Sequence, residues 1–253
     1  MLSSLPPELL DLIVDHLDNE PIVLKACCLA SKSWVHRTRR HLFAHVEFNG
    51  RNTSIESWMR AFPDPSDSPA HYARSLSICD LRSVTAAVTD ARSWVHSFRH
   101  LVHLGVFAHA RPNHSQDPLV QLRRLSPTLK SLHLRLYRIP LPEIFSLICS
   151  FPLLEDLGLI YLSGHDSIDG WNTPTSPNFT GCLDLTGTVS SITRGLLNLP
   201  GGLHFSKIKV SCLDHHAASV TALVLMCSDT LKYLFINFDS FSRAFRSASM
   251  ADE

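Results

Sequence analysis

The chain has 253 residues, of which 45% are apolar and 18% charged, the balance of a folded protein and not of a disordered one. Lys plus Arg and Asp plus Glu number 23 each, so the formal net charge is zero, and a global electrostatic footprint for nucleic acid or an anionic membrane is missing. The seven cysteines are odd in number and contain no Cys-x-x-Cys, which gives no support to a zinc framework or redox motif; most read as small reduced apolar residues.

The chain opens Leu2-Ser-Ser-Leu5-Pro6-Pro7-Glu8-Leu9-Leu10-Asp11-Leu12-Ile13-Val14-Asp15-His16-Leu17. A basic n-region is missing, and Glu8, Asp11 and Asp15 interrupt the apolar run, so the stretch lacks the architecture of a signal peptide. The most apolar later run, Ala217–Cys227, is too short for a bilayer core of about 30 Å. The expectation is a chain of the cytoplasm or nucleus with no membrane partner.

Pro6 and Pro7 suit the first turn of a helix, where a missing N–H costs nothing, and Glu8 follows where the helix dipole favours an acid. Leu9, Ile13 and Leu17 then recur at i, i+4 and i+8. Asp18-Asn19-Glu20-Pro21 breaks this helix, a second runs over Ile22–Ala30, and the hydroxyls of Ser31 and Ser33 can cap a third that carries Trp34, Val35, Leu42 and Phe43. The basic run His36–His41 reads as the solvated end of that third helix. Three short helices in so few residues make a marginal core, and such a unit usually needs the following domain or a partner. Residues 49–72 are expected to be a linker.

From residue 73 a repeat takes over. Leu101-x-x-Leu104-x-Val106, Leu129-x-x-Leu132-x-Leu134, Leu154-x-x-Leu157-x-Leu159 and Leu231-x-x-Leu234-x-Ile236 share one pattern. Looser copies are Ala73-x-x-Leu76-x-Ile78, Thr180-x-x-Leu183-x-Leu185 and Phe205-x-x-Ile208-x-Val210. The central apolar residues fall at 76, 104, 132, 157, 183, 208 and 234, with intervals of 28, 28, 25, 26, 25 and 26. The closing apolar pair has the period of two that puts both side chains on one face of a strand. Between strands, Pro142–Phe151, Ser190–Leu199, His215–Cys227 and Val84–Phe98 have helical spacing, and Pro152 and Pro200-Gly201-Gly202 act as breakers. Each strand–helix unit is too small to bury its own apolar face, so stacking must supply the core. Residues 166–180 are expected to leave the stack as a loop, and 242–253 to form a polar tail. An ordinary α/β domain whose strands share a motif is the rival, though nothing in such a fold requires a constant interval.

Intrinsic chemistry finds little support. Cys212-x-x-His215-His216 beside Asp214 lacks the paired spacing of a structural zinc site, although the chain holds fifteen histidines. Ser, His and Asp within Gly164–Gly170 are contiguous, whereas triads converge from separate elements. Catalytic residues, metal and cofactor are all expected to be absent.

The first unit resembles the F-box. The matching residues are Leu5-Pro6-Pro7-Glu8-Leu9, then Ile13 and Leu17, Cys28 to Trp34, and Arg40 to Phe43. The repeats over residues 73–239 resemble leucine-rich repeats of the degenerate kind that follows F-boxes in fungi. They depart from that pattern where an Asn or Cys is expected three residues after the last apolar position; those places hold Leu81, His109, Tyr137, Leu162, Thr188, Leu213 and Asp239. The resemblance implies an α/β chain: a three-helix F-box over 1–48, a linker over 49–72, and about seven repeats over 73–241. The parallel sheet would lie on the concave side of the solenoid and the helices on its convex side.

In function it implies a non-catalytic substrate receptor of a Skp–cullin–F-box ubiquitin ligase. By position, Leu5, Pro6, Leu9, Ile13, Leu17, Cys28 and Trp34 would meet the Skp adaptor, with Trp34 alternatively in the core and Leu9, Ile13 and Leu17 alternatively against the third helix. The outward strand positions Cys79, Phe107, His133, Arg135, Ile160, Thr186, Lys209 and Asn237 would meet a target protein. Two rivals stay open: a ligase-independent repeat scaffold, and an enzyme using the histidines with Asp166 or Asp214.

Overall fold

A computed structural model describes residues 6–50, 53–79, 94–109, 119–125, 127–137, 139–161, 177, 179–187, 189–211 and 216–237. Helix α1 (Pro7–Asp15) starts at its second proline, with Pro6 in extended geometry at the N-cap. α2 (Pro21–Ala30) likewise begins on a proline, and α3 (Lys32–Leu42) is capped by Ser31, whose hydroxyl accepts from the Ser33 N–H at 3.3 Å. The centre of this unit is small: among the described residues Val14, Leu24 and Thr38 are its fully buried side chains. Thr38 turns its hydroxyl back to the Trp34 carbonyl at 2.7 Å, which satisfies a polar group that the helix buries.

The helices run directly into strand β1 (His45–Phe48), the first of an eight-stranded sheet. The others are β2 (Ser75–Ile78), β3 (His103–His109), β4 (Ser131–Tyr137), β5 (Asp156–Tyr161), β6 (Cys182–Gly187), β7 (Lys207–Ser211) and β8 (Tyr233–Asn237). Every neighbouring pair is parallel, and the spatial order is the chain order from β1 to β8. The chain therefore advances by one strand per unit, without the strand-order reversal of a doubly wound sheet.

Register follows the repeat. Leu76, Leu104, Leu132, Leu157, Leu183, Ile208 and Leu234 sit side by side across the sheet, one per strand. Val46 pairs with Leu76 and extends the row by an eighth member. Its strand falls inside 1–48, and its signal was present as Phe43-x-x-Val46-x-Phe48 at a longer interval. One copy is placed a residue off in the sequence reading. Thr180 is exposed, and Phe179 fills the buried position, its ring stacked on Phe205 with centroids 4.9 Å apart.

Among the described residues, helices α4 (Ile55–Ala61), α5 (Leu141–Ile148), α6 (Val189–Leu197) and α7 (Ala217–Met226) and three short 3-10 turns lie between strands. α4 and the turn Pro69–Tyr72 occupy residues 49–72, and of the expected helix Val84–Phe98 the described part is a 3-10 turn, Trp94–Ser97. Parallel crossovers of one hand place such connections on one side of the sheet. There Leu141, Ile144, Phe145, Leu147, Ile148, Ile192, Leu196, Val220 and Leu223 join the inward strand residues in one continuous core. Each fully buried leucine contributes roughly 1.5–3 kcal/mol. Gly201 and Gly202 take positive φ values of 92° and 77° in the turn after Pro200. Among the described residues no helix is long and apolar enough to cross a membrane.

Candidate functional site

Among the described residues two surfaces stay open on this frame: the outer side of the three helices and the sheet face opposite the connecting helices. On the first, α1 is tied to α3 by an ionic clip. Arg37 donates from Nε to Asp15 Oδ1 at 2.6 Å and from Nη2 to Oδ2, and His41 Nε2 meets Oδ1 at 2.7 Å. The Arg37 guanidinium, assisted by His41, holds the Asp15 carboxyl well below the usual carboxylate range. The clip divides the basic run His36–His41: His36, Arg39 and Arg40 are exposed, whereas Thr38 is buried and Arg37 and His41 serve Asp15.

The clip and the burial of Val14 consume one side of α1. The other side presents Leu9 (46% exposed), Leu12 (56%) and Ile13 (48%) to solvent. On α2, Ile22, Val23 and Leu29 are also exposed, Leu29 by 90%. Pro6 is exposed, and Leu17, Cys28 and Trp34 are half-buried, with Cys28 Sγ against Thr38 Oγ1. Leu5 lies outside the described residues. Leu12, Ile22, Val23 and Leu29 were not singled out from the sequence, although α2 is apolar apart from Lys25. A helix with so little polar surface needs covering on most of its sides.

On the sheet, the residues after the last inward position form one row. Phe107, Arg135, Ile160, Thr186, Ser211 and Asn237 are paired in register, and Cys79 stands at the same place beside Phe107. The row between the inward positions holds Glu47, Ser77, Gly105, His133, Gly158, Asp184, Lys209 and Phe235. Phe107, His133 and Arg135 are exposed, and Cys79, Ile160, Thr186, Lys209 and Asn237 are half-buried. The topology thus assembles all eight sequence-selected side chains on one face. Two glycines shape its middle. A Cβ on Gly158 would collide with the His133 ring, and one on Gly105 would stand 2.9 Å from Phe107 Cε2, so both rings lie across their glycine neighbours. Lys209 is engaged with Asp184 at 3.9 Å. Tyr233 and Phe235, both exposed, extend the face onto β8 beyond the selected positions.

Burial raises four of the thiols, Cys79, Cys149, Cys182 and Cys227, away from the reactive thiolate. Burial, and secondarily the Glu47 carboxylate 3.8 Å away, pushes Cys79 above its ordinary value. Burial alone pushes Cys149 up to about 11. Cys212, Asp214 and His215 lie outside the described residues, as do Asp166 and the contiguous Ser-His-Asp segment. His216 is buried, with Nδ1 against the Ser190 hydroxyl. Among the described residues no group of three or more His, Cys, Asp or Glu is disposed to hold a metal ion. Comparison with protein-family models gives no match for this chain, and comparison with curated proteins gives none either.

Proposed function

We propose that this chain is the target-recognition subunit of a Skp–cullin–F-box ubiquitin ligase, with α1–α3 as an F-box that docks on the Skp adaptor and the repeat sheet as the arm that holds a target protein. The observation that carries the reading is the unsatisfied apolar surface of the first unit. Leu9, Leu12 and Ile13 on α1 and Ile22, Val23 and Leu29 on α2 are exposed in a three-helix unit whose buried centre, among the described residues, is no larger than Val14, Leu24 and Thr38. Several exposed apolar side chains on so small a unit point to a protein-binding surface. The Leu5-Pro6-Pro7-Glu8-Leu9 opening stands at the start of the helix that carries half of them. The open sheet face, with its mixture of aromatic, aliphatic and charged side chains, supplies a second surface directed away from the helices. On this reading the chain performs no bond chemistry itself. It raises the local concentration of the target's lysines near the activated ubiquitin.

Co-expression with the Skp adaptor followed by size-exclusion chromatography tests the reading. A one-to-one complex is expected, and Leu9→Glu with Ile13→Glu should abolish it. Both positions are about half exposed, so helix content and the unfolding midpoint should stay close to those of the parent chain. A folded parent chain that forms no complex would overturn the ligase reading and leave the repeat sheet as a scaffold acting alone.

A further inference from the structure

A third feature belongs to neither surface. Where α4 meets the 3-10 turn Trp94–Ser97, Trp58, Met59, Phe62, Pro63, Pro65, Ser68, Trp94 and Ser97 enclose a pocket of about 170 Å³. A cavity of roughly 150 Å³ accommodates a benzene ring, so this one has room for one small compact group. Its polar atoms are already committed on one side: the Trp58 indole N–H donates to Ser68 Oγ at 3.2 Å, and Ser68 also caps the next turn through the Ala70 N–H. What Trp58 offers an occupant is therefore ring surface.

The walls are not parallel. Trp58 and Phe62 are inclined by 55° with centroids 5.0 Å apart. Phe98 lies 33° from Trp58 but 84° from Trp94, so the two indole planes are strongly inclined to each other. Parallel walls would suit a flat ring slid between them, whereas inclined aromatic walls suit a rounded group that meets several ring faces at once. The loop beside the pocket carries charge of one sign. The loop that supplies Pro63, Pro65 and Ser68 carries Asp64 and Asp67, both exposed. The basic residue on α4, Arg60, stands about 200° around the helix from Trp58.

We propose that this pocket is an aromatic cage for a trimethylammonium group. Ring faces attract such a cation through their quadrupoles, and it carries no N–H that would need a hydrogen-bond acceptor inside the pocket. Asp64 and Asp67, on the loop that supplies Pro63, Pro65 and Ser68, add long-range attraction. Trp58, Phe62 and Trp94 form the walls, and the Ser68 hydrogen bond fixes the orientation of Trp58. The site does not depend on adaptor binding or on the open sheet face.

Calorimetric titration of the full chain with choline, with its neutral isostere 3,3-dimethylbutanol, and with lysine and trimethyllysine peptides decides the matter. Choline should bind about 3- to 30-fold more tightly than the neutral alcohol, the range of a cation over aromatic faces. Phe62→Leu keeps an apolar wall at a half-buried position and should reduce that preference. Asp64→Asn with Asp67→Asn should weaken choline and leave the alcohol unchanged. Tighter binding of the trimethyllysine peptide than of choline identifies a methylated protein as the source of the cation, and the reverse order identifies a small molecule. Equal affinity for choline and the alcohol, or no heat from choline or trimethyllysine peptide at tens of millimolar, would overturn the proposal.

Discussion

Asp156 stands in for a backbone group. In each unit the carbonyl two residues before the central apolar position accepts N–H donors from the next unit. Ala44 accepts from Arg74 and Ser75, Arg74 from Val102 and His103, Val102 from Lys130 and Ser131, and Lys130 from Glu155 and Asp156. Gly181 and Ser206 continue the ladder toward β8. The exception is Glu155, whose carbonyl takes only the Gly181 N–H, because the Cys182 N–H is diverted to Asp156 Oδ1 at 2.5 Å. That carboxylate occupies space which a side chain at residue 181 would need: a Cβ there would collide with Asp156 Oδ1 and stand 3.1 Å from the Glu155 carbonyl. Gly181→Ala should therefore displace the carboxylate and leave the Cys182 N–H unpaired, a loss of about 1–3 kcal/mol in urea unfolding. In an Asp156→Ala background the same substitution should cost less than half as much. Equal costs in the two backgrounds would show that the carboxylate is not the obstacle. The repeat spacing could be read without knowledge of this link, because a carboxylate replacing a carbonyl leaves the apolar pattern untouched.

Helix α1 illustrates what pattern alone leaves undecided. The i, i+4, i+8 series Leu9, Ile13 and Leu17 announced an amphipathic helix but not which face the remaining helices would cover. The answer rests on Asp15, an acid in the last turn of α1 where the helix dipole disfavours it. It is compensated there by Arg37 and His41 from α3, and the clip holds the acidic side of α1 against α3 while Leu9 and Ile13 face outward. Helix existence, the proline start of α1 and the Ser31 cap were legible because each depends on neighbouring residues in the chain, whereas Pro21, read as part of the break, in fact opens α2. The clip was not, since it joins residues 22 and 26 positions apart. It has a definite pH signature. The Asp15 carboxyl lies lower in the folded chain than its unfolded value near 4, so its stabilisation is complete above that value and is lost as pH falls below it toward the lowered folded value. Partial exposure limits the effect to about 1 kcal/mol. Asp15→Asn should lower the urea midpoint at pH 7, and the gap between variant and parent should narrow steadily from pH 4 to pH 2.5. A gap that stays constant over that range would count against the clip.

Across the whole molecule, one spacing rule does most of the organising. The central apolar residues predicted from the repeat pair across seven strands without a slip. A one-residue shift would have turned every inward leucine outward. Direction of view is what the rule lacks: it places Leu157 and Leu234 in equivalent positions, although their surroundings differ. Leu157 lies between β4 and β6 and is 1% exposed, whereas Leu234, on the last described strand, is 46% exposed. In a stack where each unit touches only its neighbours, stability is a sum of local terms, and an end position has fewer of them. Leu157→Ala opens a cavity in a closed core and should cost about 2–5 kcal/mol. Leu234→Ala removes a side chain already half in water and should cost under about 1 kcal/mol, following the smaller area returned to solvent. Hydrogen exchange adds the spatial test. Leu157→Ala should raise exchange in β4, β5 and β6 together, whereas Leu234→Ala should confine its effect to β7 and β8. Similar losses at the two positions would mean that the sheet unfolds as one indivisible block, and the unit-by-unit account of its stability would then be wrong.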